Sequence, residues 1–289
     1  MRYPVLFVLA ACSGSEAPAT VDARPAIDAP PQARCNPTQP FSTPVPLTAL
    51  NGPTDEMAAR LSPDELTVMF GRTDATSGKW DIFQATRSAK SGTFGAPEVV
   101  GPLNTIYNDI WPTTTPDGKT LFLTTDRDNN VYGIWTSHRG AVGDDWATPT
   151  QVTSLAMAVF DPYVANDHSL YVHIGGVIQH VAIAADGTLG MPAPVIGGVN
   201  DPMSPSVTPV VTPDELHIYF GRQLGTNYDI YEASRSTTND GFGVATPVPG
   251  LANATYNELP SWISADGCEL YLSTNQGVTK SDLYVATRP

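Results

Sequence analysis

The sequence predicts an all-β protein, a five-bladed β-propeller built of four-stranded antiparallel blades. Composition and an internal repeat carry this expectation. Only 15% of the 289 residues are charged, and Lys and Glu occur just 4 and 8 times, so strong surface helix formers are scarce. Asp (21), Gly (24), Pro (27) and Thr (32) are abundant, and these are residues of turns and strands. A helical bundle, a coiled coil or a doubly wound α/β fold does not fit such a chain. The formal net charge of −14 argues against a nucleic-acid partner, because an acidic surface repels phosphate backbones.

Residues 41–289 repeat about every 50 residues. Each unit opens with an aromatic or apolar residue ahead of a proline: Phe41, Phe94, Trp146, Leu189 and Phe242. A segment then leads into a turn and an apolar strand, read as SPDELTVMFGR (62–72), TPDGKTLFLTTDR (115–127), TPDELHIYFGR (212–222) and SADGCELYLSTN (264–275). A degenerate third copy, ANDHSLYVHIG, occupies 165–175. The turn aspartates Asp64, Asp117, Asp167, Asp214 and Asp266 are spaced 53, 50, 47 and 52 apart. Their carboxylates are expected to cap Asx-turns. A second strand follows as DIFQATR, GIWTSHR, DIYEASR and DLYVATR. The Asp of that element (Asp81, Asp229, Asp282) is expected to hold a neighbouring loop or the repeated arginines Arg87, Arg139, Arg235 and Arg288. A repeat of this length implies a solenoid, a propeller or an array. Strands apolar on both faces, such as Val68-Met69-Phe70, are covered on both sides, as in blades around an axis.

The chain opens with a first strand and ends with a DLY strand, so the segment at 41–50 should complete the last blade. That closure brings Cys35 near the turn at Cys268, and a Cys35–Cys268 disulfide is expected to fasten it.

Residues 1–11 read as a lipoprotein signal peptide: a basic Arg2, an apolar run and a small-residue cleavage site. Leu9-Ala10-Ala11-Cys12 resembles the lipobox of bacterial lipoproteins. The resemblance implies that Cys12 becomes a lipidated N-terminus, stably anchored by its acyl chains. Ser13 after the cysteine implies sorting to the outer membrane. Residues 12–40, rich in Pro and Ala, read as a disordered tether to the propeller at 41–289.

The turn-strand S/T-P-D-G/E-x-x-L-Y-F followed by D-I-Y-x-A-[ST]-R resembles the TolB-type, WD-like propeller repeat. For fold the resemblance is specific. For function it implies only a module that binds proteins or glycans.

One position invites chemistry. Eight residues before the turn aspartate stand Glu56, Asp109, Ser206 and Glu258, with Val159 in the third copy. Equivalent positions in a propeller form a ring near a channel mouth. Three carboxylates there could bind a hard cation such as Ca²⁺ or act as an acid and base on a glycoside; they could equally hydrogen-bond inner-strand backbone. Tyr107, Trp111, Tyr256 and Trp262 flank them as sugar-stacking or inter-blade aromatics. No histidine metal spacing, nucleophile elbow or phosphate loop is present, and no catalytic residue is named. The expected protein is thus a monomeric, non-enzymatic binding or scaffolding module of the cell envelope. Its partner would be an envelope protein or glycan, and the lipid its only membrane contact. The alternative is a carbohydrate-active propeller, lectin or glycoside hydrolase. The carboxylates discriminate: open in an aromatic-lined pocket they favour the alternative, and spent on backbone or arginine they do not.

Overall fold

The computed structural model describes residues 34–155, 158–253, 255–276 and 279–289. The expected signal peptide and Cys12 lie outside the described residues, as does all of the expected tether before Arg34. Among the described residues twenty strands form five sheets of four. The edge strand β1 (Val45–Pro46) precedes blade 1, which comprises β2 (Glu56–Leu61), β3 (Thr67–Thr73), β4 (Trp80–Thr86) and β5 (Glu98–Val99). Blade 2 comprises β6 (Asp109–Thr114), β7 (Thr120–Asp128), β8 (Val131–His138) and β9 (Thr150–Gln151). Blade 3 holds β10 (Val159–Asn166), β11 (Ser169–Ile174), β12 (Val177–Ala182) and β13 (Ala193–Pro194). Blade 4 holds β14 (Ser206–Val211), β15 (His217–Leu224), β16 (Asn227–Ser234) and β17 (Thr246–Pro247). Blade 5 holds β18 (Glu258–Ile263), β19 (Glu269–Thr274) and β20 (Asp282–Thr287), and β1 supplies its fourth strand. Val45 pairs with Val285 and Pro46 with Tyr284, antiparallel, which is the closure expected from the sequence.

The Cys35–Cys268 disulfide fastens that closure, with 5.7 Å between the Cα atoms. The compact unit begins at Arg34. The reason is local: the Asn36 amide donates to the Pro289 carbonyl, and the Arg34 guanidinium reaches Asp266 at 2.6 Å.

The turns are capped as expected. Asp64 Oδ1 accepts from the Leu66 amide at 3.0 Å, and Asp117, Asp214 and Asp266 bond the amide two residues on in the same way. In the third copy the cap is Asn166, whose Oδ1 accepts from the His168 amide, and not Asp167. Matching Leu170 to Val68 by strand register shows why: this copy is one residue shorter before its turn.

The repeated arginines are not held by the DIY aspartates. Arg87, Arg139, Arg235 and Arg288 lie 4.6, 4.2, 4.4 and 3.9 Å over the rings of Phe94, Trp146, Phe242 and Phe41. Each also donates to a turn carbonyl, that of Glu65, Gly118, Glu215 or Gly267. The arginine thus pins a turn to the aromatic that opens the following outer segment. Of the aspartates, Asp229 does hold a loop, accepting from the Asn253 amide.

Each inner strand carries a register shift near its third residue. Ala58, Trp111, Asp161 and Thr208 occupy that position with φ of 60°, 54°, 53° and 46°. Left-handed backbone at four non-glycine residues marks a bulge imposed by the architecture. In blade 5 the equivalent residue is Pro260, whose ring forbids positive φ.

Candidate functional site

The sequence-predicted carboxylates begin the inner strands, but their side chains are sealed inside the blades. Glu56 is fully buried; its Oε1 accepts from the Gly52 amide at 2.9 Å and from Arg72 Nε at 2.8 Å. Burial pushes its pKa up, against the opposing pull of Gly52 and Arg72. Asp109 is likewise fully buried, bonded to the Thr105 amide and hydroxyl and, at 2.6 Å, to Arg127 Nη2. Ser206 donates to the Val199 carbonyl, while Arg222 takes the carbonyls of Gly198 and Val199. The three arginines share one task, tying the loop that enters each inner strand to the strand beside it. Glu258 has no such arginine. It accepts weakly from the Asn253 amide at 3.3 Å, an amide also bonded to Asp229. Burial, reinforced by the Asp229 charge, drives its pKa up to about 8.

The ring expected at the channel mouth is therefore a set of separate loop locks, because a carboxylate beside an arginine and a backbone amide is more stable than one facing the axis. Among the described residues no three His, Cys, Asp or Glu side chains come together as a metal site would require. Trp262 packs edge-on against Tyr271 in the core at the junction of blades 5 and 1. Tyr107 and Tyr256 are half-buried in entry loops. Only Trp111, edge-on to Phe160 at 6.2 Å, stands on the bulge nearest the axis.

The axis holds polar groups that the repeat pattern concealed. Asp161 Oδ2 lies 2.6 Å from His173 Nδ1 and accepts from the Thr208 amide at 2.9 Å. His173 stacks on Phe160, which also meets Tyr132. Arg60 lies over the Tyr163 ring at 4.9 Å, 6% exposed. A cavity of about 10 Å³ beside it is also lined by Trp111, Thr208 and Ser261. These residues sit in the degenerate third copy or break the apolar inner-strand pattern, the one signal that could have found them.

Two larger cavities lie on the face formed by the Asp-capped turns. One, of about 410 Å³, lies between blades 1 and 2 against Arg60, Met69, Gln84, Thr113 and Trp146. The other, of about 670 Å³, lies between blades 4 and 5 beneath residues 37–41.

A solved TolB from Acinetobacter baumannii superposes on 83% of this chain, with a TM-score of 0.50 and 14% identity. The chain is a five-bladed β-propeller, similar in fold to that TolB. It spans 56% of the length of that TolB. The same architecture recurs in a GH43_1 enzyme from Xanthomonas citri complexed with xylose (TM-score 0.59, 12% identity, 84% of this chain and 89% of that one). It recurs also in an α-L-arabinofuranosidase from Podospora anserina in complex with cellotriose (TM-score 0.58, 11% identity, 88% and 98%). At such identities the likeness is one of fold. No protein-family model matches the sequence, and no curated protein matches it.

Proposed function

We propose that this TolB-like propeller is a lipid-anchored, non-enzymatic binding or scaffolding module of the bacterial envelope, exported and held at the outer membrane through Cys12. The observation that carries the binding reading is the division of labour between the faces. The acids that could have served catalysis lock the entry loops, and two concave cavities occupy equivalent blade junctions on the turn face. The Cys35–Cys268 disulfide supports an oxidising compartment, and the lipobox-like string supports the anchor. Cross-linking in envelope extracts followed by pull-down should recover a defined envelope protein or glycan. Capture of none would remove the reading. Replacing Cys12 by Ala should release the protein from membrane fractions and abolish incorporation of labelled acyl chains.

A carbohydrate-active reading draws on one observation, the Asp161–His173 pair beside Phe160, Tyr132 and Trp111. A glycan array with wild type and Trp111→Ala tests it. Binding lost in the variant supports a lectin, and no binding by either dismisses it.

A further inference from the structure

Arg60 stands apart from every other arginine among the described residues. Arg34, Arg72, Arg87, Arg127, Arg139, Arg222, Arg235 and Arg288 each donate at least one hydrogen bond to a carbonyl or carboxylate. Arg60 donates none, although it is only 6% exposed, and its Nε and Nη1 are enclosed without a partner. A buried guanidinium without hydrogen bonds is costly, and removing it in favour of an apolar residue is often neutral or stabilising. The blade does not require it. At the same strand position, judged by register, the other blades carry Thr113, Tyr163, Val210 and Trp262. Asp161 acts on Arg60 through space; its Oδ2 is committed to His173 and the Thr208 amide, and its buried Oδ1 makes no hydrogen bond, to Arg60 or to any other group.

We propose that the cavity between blades 1 and 2 binds a small, apolar monocarboxylate, with Arg60 as the residue that receives its carboxylate. Arg60 lines this cavity, whose volume of about 410 Å³ suits a small-molecule ligand. Nη2 is the one guanidinium nitrogen that is not enclosed, so it is the atom that meets the carboxylate, in a charge-assisted hydrogen bond that desolvation strengthens. Burial lowers the guanidinium to about 10, which leaves it charged at neutral pH. Met69, Val100 and Trp146 offer apolar contact to the ligand body. Asp64, Asp117, Asp144 and Asp145 also line the cavity, and all four are exposed. Their charge disfavours a second anionic group on the ligand and admits a neutral or cationic one.

The carboxylate can belong to a free small acid or to the C-terminus of a peptide, and the site stands whether or not Cys12 is lipidated. The test is calorimetric titration of the full chain with N-acetyl-L-phenylalanine, with its amide, and with the tripeptide Gly-Pro-Phe in free-acid and amidated forms. The expected result is binding of at least one acid, with its amide at least about tenfold weaker. A tripeptide acid preferred over the amino-acid derivative identifies a chain end as the source; the reverse preference identifies a small molecule. Arg60→Met should abolish acid binding while leaving the thermal midpoint unchanged or higher. Arg60→Lys keeps the charge on a shorter side chain and should weaken binding about tenfold, so the idea stays testable should Arg60→Met misfold. Equal affinity for acid and amide, undiminished binding by Arg60→Lys, or no binding of any acid at about 10 mM would each overturn the proposal.

Discussion

Glu258 shows how much a single residue's surroundings decide. Its counterparts Glu56 and Asp109 each meet an arginine on the next strand, whereas the strand position opposite Glu258 holds Thr274. This much was legible in the sequence, because MFGR, YFGR and TTDR in blades 1, 4 and 2 become LSTN in blade 5. What the repeat could not show is that the acids point into the blade, since that depends on where the entry loop offers its amides. Burial, with the Asp229 charge beside it, raises Glu258 to about 8. A carboxyl raised in the folded state keeps its proton where the unfolded chain has lost it. Its contribution to stability is therefore intact below about pH 4.5 and declines as pH rises toward 8. A tenfold change in proton affinity is ~1.4 kcal/mol, so even half the shift amounts to about 2 kcal/mol, a few degrees of Tm at this size. Glu258→Gln should match wild type near pH 5 and exceed its Tm by several degrees at pH 8.5. Parallel pH–Tm curves for the two proteins would refute this assignment.

At the scale of the element, the clamp of arginine on aromatic explains why four copies of the repeat look alike and one does not. Arg87–Phe94, Arg139–Trp146 and Arg235–Phe242 are each seven residues apart, and the closing pair Arg288–Phe41 joins the two ends of the domain. In blade 3 both members change together, to the buried apolar pair Ile183 and Leu189, which bridge each other. Residue types and spacing were plain in the sequence, and so were strand number, order and closure. The partnership was not, because the arginine's other bond goes to the carbonyl of a turn about twenty residues upstream. The turn residue itself adds to this in blade 4. Glu215 adopts φ of 58° and bonds Asn166, Ser169 and Tyr171 of the preceding blade. Arg235→Met should free that turn, removing a cation–π contact at 4.4 Å and a hydrogen bond at 2.7 Å. The expected loss is about 2 kcal/mol, read from the urea midpoint at unchanged slope. Arg235→Lys should recover less than half, because an ammonium cannot stack flat on Phe242 while reaching the carbonyl. A loss below about 0.5 kcal/mol for Arg235→Met would mean that the clamp is decorative.

For the whole molecule the question is what keeps a ring of five blades closed, since β1 contributes only two paired residues to blade 5. Three devices converge on the turn face: the β1–β20 pairing, the disulfide, and Arg34 within 3.3 Å of Glu65, Asp266 and Glu269. They act on different states. The disulfide spans a separation of 233 residues and works mainly by restricting the unfolded chain, by about 5 kcal/mol in the chain-entropy account. Arg34 works on the folded state, where it joins blade 5 to Glu65 of blade 1, but its side chain is 37% exposed and so its share is modest. Although burial pushes Asp266 up, hydrogen bonds from Arg34, Ser264 and the Cys268 amide hold it down to about 2. A depressed carboxyl adds stability above about pH 4 that disappears as pH falls toward 2, so the contact at Arg34 should be acid-labile and the cross-link should not. Reduction, or the pair Cys35→Ser and Cys268→Ser, should lower Tm by about 10 °C or more at every pH from 4 to 8. Arg34→Ala should cost about 1 kcal/mol at neutral pH and low salt, and progressively less in high salt or below pH 4. If reduction left Tm unchanged, closure would rest on the β1–β20 pairing, on Arg34 and on blade packing. The Trp262–Tyr271 contact, with Leu50, Phe70 and Leu283 in the core shared by blades 5 and 1, would then carry the larger part of the closure.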